Sequence, residues 1–296
     1  MKFDEIFSQF NTEMIALSVS RAASEDVLRP VFKLIDSYGI IAHLVDDEKT
    51  LREMIKSIDG KYLDHPDVII HNVENDQEAA ACAVKMVADN TCNILMKGQI
   101  STSFILKEVL NKEHNLIESK LLSHVAVFDL PNYHKSILLT DAAMNIAPGT
   151  EEKKLIINNA VDFARKLNIQ LPKVAILSAV EKINPKISTT LEAENIINSY
   201  NRDESLIDGP LQYDLAISKE AAATKGIRSE VAGDADILIA PQIEAGNILY
   251  KSLVYSAGSS VAATILGAKV PIVLTSRADS AEDKYNSICL AMKSIT

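Results

Sequence analysis

The feature that most constrains this chain is a repeated alternation of short apolar, β-branched runs with segments of helical periodicity. The runs fall at residues 15–19, 40–45, 68–73, 93–96, 125–130, 136–140, 174–178, 237–240 and 272–275, each bounded by polar or turn residues. Their apolar character is continuous rather than alternating, which marks strands covered on both faces. Ser24 precedes Glu25 and Asp26, with Val27, Leu28, Val31, Leu34 and Ile35 along one face, so a capped amphipathic helix is predicted there. Thr150 and Ser280 open similar segments, each followed by acidic residues that suit a helix N-terminus. Strand alternating with helix along the whole length predicts an α/β fold of right-handed crossovers around largely parallel sheets.

Two stretches depart from that rhythm. The runs at 125–130 and 136–140 are separated by a segment holding Pro131, Asn132 and Tyr133, with no helix between them. They read as a hairpin or a crossing between domains. A chain of 296 residues suits two ordinary domains, and this crossing supplies the first boundary. Residues 199–208, SYNRDESLID, are the most polar stretch and read as a surface loop or helix end.

Charge narrows the function classes. Thirty Lys plus Arg against forty Asp plus Glu give a net charge of -10 and a pI near 5.2, a surface that repels nucleic-acid backbones and anionic lipid. No nucleic-acid or membrane partner is expected, and a site for an anionic substrate would have to be locally basic. Cys82, Cys92 and Cys289 show no metal or redox spacing and read as buried small hydrophobes in a reducing compartment. Residues 1–15 lack the apolar core of a signal peptide, and no run of about 18 apolar residues occurs, so a cytoplasmic location is expected.

The common motifs are absent. No G-x-G pair, Walker loop, G-x-S-x-G or H-E-x-x-H occurs, which disfavours ordinary dinucleotide enzymes, P-loop ATPases, serine hydrolases and zinc proteases. His43, His65, His71, His114, His124 and His134 are scattered and read as surface or packed imidazoles. No metal site is expected.

Five constellations remain. In 271–283, PIVLTSRADSAED, an apolar strand ends at Ser276 and Arg277 and a helix starts near Ser280. Ligands of open α/β sheets sit beyond the carboxyl ends of strands, and a guanidinium fork there matches phosphate or carboxylate oxygens. Asp283, seven residues after Ser276, is available as a general base, or it merely favours the helix dipole while Arg277 pairs with Asp279. The second is Lys97, Gly98, Ser101 and Thr102, a strand-to-helix turn with a point charge and room for close backbone approach. Thr140, Asp141 and Asn145 form the third. Asp208, Gly209, Pro210 and Asp214 form the fourth, and Gly246, Asn247 and Lys251, following Pro241, the fifth. All read as strand-end or loop positions, each with an ordinary structural alternative.

Taken together and in order, MKGQIST from Met96, LLSHVAVFDLP from Leu121, LTDAAMNIAPGTEEKKLIINNAV from Leu139, PKVAILSAVEKINPK from Pro172, DGPLQYDLAI from Asp208, VAGDADILIAPQIEAGNILYKSLVY from Val231 and GAKVPIVLTSRADS from Gly267 resemble the phosphate acyltransferases, on the butyryl branch beside the acetyl branch. The resemblance covers the chain from about Asn93 to its end. It implies two α/β domains with an interdomain cleft, like isocitrate and isopropylmalate dehydrogenases, with residues 1–130 plus 266–296 in one and 131–265 in the other. It implies homo-oligomers, dimer or higher. The implied reaction is butanoyl-CoA plus phosphate giving butanoyl phosphate plus CoA, reversibly, with CoA and phosphate as substrates and no permanently bound cofactor.

By the same resemblance, Asp283 looks like the base for the CoA thiol, Ser276 the donor to the thioester oxygen, and Arg277 the holder of phosphoryl oxygens. Lys97, Gly98, Thr102, Thr140, Asp141, Asn145, Gly209, Pro210, Asp214, Gly246, Asn247 and Lys251 are candidate substrate-binding positions. Asp279 and Asp141 compete with Asp283 for the base role. Further arginines of the acetyl branch have no counterpart here, where Lys97 offers a point charge without the fork. Rival readings are an acetyl or branched-chain phosphate acyltransferase, an oxidoreductase of dehydrogenase-like fold, and a non-catalytic acyl-CoA or anion-binding protein. The oxidoreductase is opposed by the lack of a paired-Asp metal motif.

Overall fold

A computed structural model describes residues 2–8, 10, 15–200, 203–276 and 279–295. In chain order the elements are α1 (Phe3–Ile6), β1 (Ala16–Ser20), α2 (Glu25–Tyr38), β2 (Ile41–Asp46), α3 (Glu48–Asp59), β3 (Val68–Asn72), α4 (Asp76–Ala88), β4 (Ile94–Lys97), α5 (Thr102–Val109), β5 (Ser123–Asp129) and β6 (Ile137–Thr140). There follow α6 (Thr150–Lys166), β7 (Lys173–Leu177), α7 (Ser188–Ser199), β8 (Leu206–Leu211), α8 (Tyr213–Ile217), α9 (Lys219–Thr224), β9 (Ile237–Ile239), α10 (Ile243–Lys251), β10 (Ser260–Leu266), β11 (Ile272–Val273) and α11 (Ala281–Ile295). This is an α/β fold with mixed strand pairing.

Two compact units divide the chain. A flanking unit takes Phe7–Glu118 and Ala262–Thr296, and a central unit takes Met1–Ile6 and Ser119–Val261. These limits fall upstream of the 130/131 and 265/266 expected from sequence. The physical reason for the first is that β5 pairs antiparallel with β6, Ala126 opposite Leu139 and Phe128 opposite Ile137, and the hairpin stays whole in the central unit.

In the flanking unit the strand order is β3-β2-β1-β4-β11-β10, parallel except for the β10–β11 pair. Alternate residues of β1 serve opposite faces. Leu17 and Val19 enter a core with Val27, Leu28, Val31, Leu34 and Ile35 of α2 and Ile288, Cys289 and Met292 of α11. Each fully buried Leu or Ile there contributes about 1.5–3 kcal/mol. Ser18 faces the other way and donates to the Ala83 carbonyl of α4 at 3.0 Å.

In the central unit the order is β5-β6-β9-β7-β8, parallel beyond the hairpin. At the amino end of its parallel strands Lys135 reaches Asp236 at 2.6 Å, while Lys173 and His134 reach Asp234 at 2.5 and 2.7 Å. Burial works to raise the Asp234 carboxyl, but Lys173, His134 and Lys135 hold it well below the usual range.

Several expectations need correction. β8 begins inside the stretch read as a polar loop, and as the edge strand it tolerates Asp208, Gly209 and Pro210, which are therefore strand rather than loop positions. β10, SVAATIL, lies in a segment with no strand expected; its small residues hide the run. Ser24 occupies the N-cap position of α2 without a side-chain cap bond, and its hydroxyl accepts from Gln99 Nε2 at 3.2 Å. Thr150 is the first helical residue of α6, preceded by Gly149, whose N–H donates to Glu152 Oε2 at 2.8 Å. Cys82 is half-buried rather than buried, whereas burial pushes the Cys92 and Cys289 thiols up to about 12.

Candidate active site

In the flanking unit the candidates gather at the carboxyl ends of β4 and β11. These strands run parallel, with Ile272 opposite Leu95 and Val273 opposite Met96. The loops that follow them therefore leave the same edge about one strand spacing, ~4.8 Å, apart. Lys97 and Gly98 stand on one loop and Ser276 on the other.

The Lys97 loop is strapped to the end of β1. Gly98 N–H donates to the Ser20 carbonyl and Gln99 N–H to the Arg21 carbonyl, each at 2.8 Å. A Cβ on Gly98 would collide with the Arg21 carbonyl oxygen and stand 2.7 Å from that of Ser20. Glycine is required here for approach by the chain itself. Lys97 is 6% exposed and curls over its own turn, donating to the Gly98 and Ile100 carbonyls at 3.2 Å. Ser101 takes the N-cap position of α5, and Thr102 is its first residue.

Arg21 adjoins this loop and has no motif to announce it beyond a cation directly after an apolar run. Its Nε donates to Asp76 at 2.7 Å and a terminal nitrogen to Asp46 at 2.8 Å. Burial works to lower its pKa, but the two carboxylates raise it above the ordinary arginine value. With two acids on one guanidinium, Arg21 serves as a brace for the edge rather than an open anion ligand.

On the second loop, Ser276 is exposed and its N–H donates to Asp279 Oδ2 at 2.7 Å, while Asp279 N–H donates to the Ser276 carbonyl at 3.2 Å. Ser280 and Asp283 form a reciprocal cap for α11. Asp283 N–H donates to Ser280 Oγ at 3.0 Å, and the Ser280 hydroxyl donates to Asp283 Oδ2 at 2.7 Å. Arg277, the proposed phosphoryl ligand, lies outside the described residues.

In the central unit the structure joins two motifs that are far apart in sequence. Asp141, 4% exposed, accepts from the backbone N–H groups of His124, Ala143, Met144 and Asn145 and from Asn145 Nδ2, at 2.7–3.3 Å. Asn145 Nδ2 also donates to the Leu122 carbonyl at 2.9 Å. Gly246, in α10, packs so closely on the Asp141 carbonyl that a Cβ would overlap it, and Asn247 Nδ2 donates to the Ala142 carbonyl at 3.2 Å. Thr140, fully buried, ends β6 with a cis peptide bond to Asp141. Its hydroxyl has no hydrogen-bond partner among the described residues.

The remaining candidates stand apart from that turn. Lys251 lies over the rings of Tyr250 and Tyr255, at 4.9 and 5.8 Å from their centroids. Gly209 and Pro210 lie on β8, three strands from β6, a separation of about 14 Å at ordinary strand spacing. Their peptide bond is cis. Asp214 is exposed in α8. No group of three or more His, Cys, Asp or Glu among the described residues could hold a metal ion.

Residues 40–292 match the family described as Phosphate acetyl/butaryl transferase. The chain is 46% identical over 279 residues to the probable phosphate butyryltransferase of Bacillus subtilis (strain 168), covering 93% of this chain and 92% of that protein. It is 40% identical over 295 residues to the phosphate butyryltransferase of Clostridium beijerinckii, covering 98% and 96%. Among solved structures it is similar to a branched-chain phosphotransacylase from Enterococcus faecalis V583, with TM-score 0.85, 37% identity and coverage of 95% and 99%.

Proposed function

Because the chain belongs to the phosphate acetyl/butyryltransferase family, we propose that it moves a butanoyl group reversibly between CoA and inorganic phosphate. Family members use CoA and phosphate as substrates and need no permanently bound cofactor. The observation that carries the reading is the pairing of β4 with β11, which sets the Lys97 and Ser276 loops side by side. Around that edge stand a buried ammonium and an exposed hydroxyl.

In the forward direction phosphate oxygen attacks the thioester carbon, the carbonyl becomes a tetrahedral oxyanion, and its collapse expels CoA thiolate. In reverse, the thiol gives up its proton and attacks the acyl phosphate. A free thiol has a pKa of about 8.5, so a nearby carboxylate assists at neutral pH. We assign that role to Asp283, which would exchange its Ser280 hydroxyl donor for the thiol proton. Ser276 donates to the developing oxyanion and Arg277 holds the phosphoryl oxygens. Asp141 holds its own turn and Asp279 the Ser276 N–H, as Asp283 holds Ser280, and the choice of Asp283 rests on its matching offset from Ser276. The Asp141 turn, with Asn145, Gly246 and Asn247, is read as a shaped substrate wall. Thr140, Lys251, Gly209, Pro210 and Asp214 are assigned peripheral substrate contacts.

The fold is read as the two-domain class of isocitrate and isopropylmalate dehydrogenases, and the protein as a cytoplasmic homo-oligomer. Three thiols outside any disulfide support a reducing compartment. No described helix is long and apolar enough to cross a membrane.

A second acyl preference is favoured by one observation, the similarity to a branched-chain phosphotransacylase. A methylene is worth only about 1–3 kcal/mol in such discrimination. The test is phosphate-dependent CoA release from acetyl-, propionyl-, butyryl- and isobutyryl-CoA. A maximum at butyryl-CoA is expected; a maximum at isobutyryl- or acetyl-CoA reassigns the substrate. No release from any thioester would leave an acyl-CoA-binding or anion-binding protein.

A further inference from the structure

We propose that Lys284 is a positioning residue that shapes and charges the Ser276 loop for phosphate, an inference that rests on the acyl-transfer reading above. Lys284 lies in the first turn of α11 and is 2% exposed. An ammonium carries three donors. Among the described residues its polar partner is the Asp279 carbonyl, at 2.6 Å. Burying a charge is costly unless it is matched, and no carboxylate among the described residues meets this one. Lys153, which is 3% exposed, behaves differently and closes on Glu192.

Position makes the lysine more informative. Residues 284, 287, 288 and 291 share one helical face, and Ser287, Ile288 and Ala291 on it are all buried. Packing alone would place an apolar side chain at 284. The lysine instead bends back to the start of its helix and grips the loop from inside. Asp279, held through its carbonyl, presents Oδ2 to the Ser276 N–H and its own N–H to the Ser276 carbonyl. Lys284, Asp279 and Ser276 therefore form a continuous chain of hydrogen bonds.

The neighbouring carboxylates have other partners. Asp279 Oδ2 accepts from Ser276, Asp283 Oδ2 from Ser280, and Glu282 reaches Lys33 at 3.3 Å. The Lys284 charge thus meets a backbone dipole rather than a counter-ion. A compact dianion at the loop gains most from that field, whereas acyl-CoA spreads its contacts over a much larger molecule. Phosphate binding is the step that depends on Lys284.

The test uses full-length Lys284→Met and Lys284→Arg beside wild type, with KM for inorganic phosphate and for butyryl-CoA measured separately. The Met variant is expected to raise the phosphate KM at least tenfold and keep the butyryl-CoA KM within twofold, while the Arg variant recovers phosphate KM to within about threefold of wild type. Equal changes in both KM values, or an unchanged phosphate KM, would overturn the proposal. Inorganic phosphate is also titrated against Tm, which needs no turnover. Should wild type release no CoA, the acyl-transfer reading fails separately and this second measurement decides. A phosphate-induced rise in wild type that is lost in the Met variant upholds the role, and any other pattern overturns it.

Discussion

Ser280 and Asp283 hold each other, the Asp283 N–H on the Ser280 oxygen at 3.0 Å and the Ser280 hydroxyl on the Asp283 carboxylate at 2.7 Å. The residue proposed to take the thiol proton is thus also the residue that starts α11. Asparagine keeps the accepting oxygen and removes the proton-accepting charge, so the two duties separate. Asp283→Asn should lower kcat for acyl transfer to CoA by about 100-fold or more and change stability by less than about 1 kcal/mol. Asp283→Ala should lose both, with a cap cost of about 1 kcal/mol. Steady-state kinetics beside urea denaturation checks this, and near-normal turnover in the Asn variant would leave Asp283 as a cap alone.

Gly98 has no room for a side chain. Its Cβ would collide with the Arg21 carbonyl oxygen, which also receives the Gln99 N–H. Backbone cannot rotate aside as a flexible side chain can. Gly98→Ala should therefore cost about 1–3 kcal/mol and push the Lys97 loop off the end of β1. Urea denaturation gives the cost, and a change in phosphate KM reports the loop.

Asp141 is the hub of the turn after β6. Removing its carboxylate strands four backbone N–H groups, that of His124 buried and the other three part-buried, each worth up to about 1–3 kcal/mol if it finds no replacement. Asp141→Ala should cost about 3 kcal/mol or more. A loss below about 1 kcal/mol in urea titration would mean that the turn re-forms without its centre.

His43 Nδ1 and His71 Nε2 meet at 2.9 Å, with ring centroids 5.2 Å apart and planes 16° from parallel. The centroid separation exceeds the nitrogen separation by about two ring radii, so this is an edge-on N–H···N bond rather than a face stack. Burial lowers both pKa values, and His71 lowers that of His43 further. Unfolded histidines take protons near pH 6.5, at about their ordinary value, before the folded pair does. Below that pH the unfolded chain binds more protons, so stability is full above about pH 6.5 and falls as the solution is acidified through the folded values. The His43→Asn, His71→Asn double variant should show a flatter decline between pH 6.5 and 5; an unchanged slope of urea midpoint against pH would remove the pair from the account.

The strands best seen in the sequence are those whose residues are buried on both faces. β1 is an unbroken run of apolar or small residues, and β4 is apolar up to the Lys97 that ends it; every residue of both is buried. β8 escapes that reading because an edge position relaxes the demand, admitting Asp208, Gly209 and Pro210. Asp141 and Gly246 are visible as candidates, yet their relation is invisible, since one offers a carbonyl and the other only the absence of a side chain. Lys284 is hidden for a different reason. Its helical face looks incomplete in the sequence, and only the bond to Asp279 shows what the charge is doing there.

The flanking unit is assembled from two stretches separated by residues 119–261 of the central unit. Val273 of β11 and Ile288, Cys289, Ala291 and Met292 of α11 belong to the same core as β1 and α2. During synthesis the first hundred-odd residues must therefore wait, with Leu17, Val19 and Leu28 short of their last packing partners, until the end of the chain has emerged. A ribosome stalled short of β11 would hold an adhesive half-sheet, with Leu17, Val19 and Leu28 open to whatever apolar surface it meets.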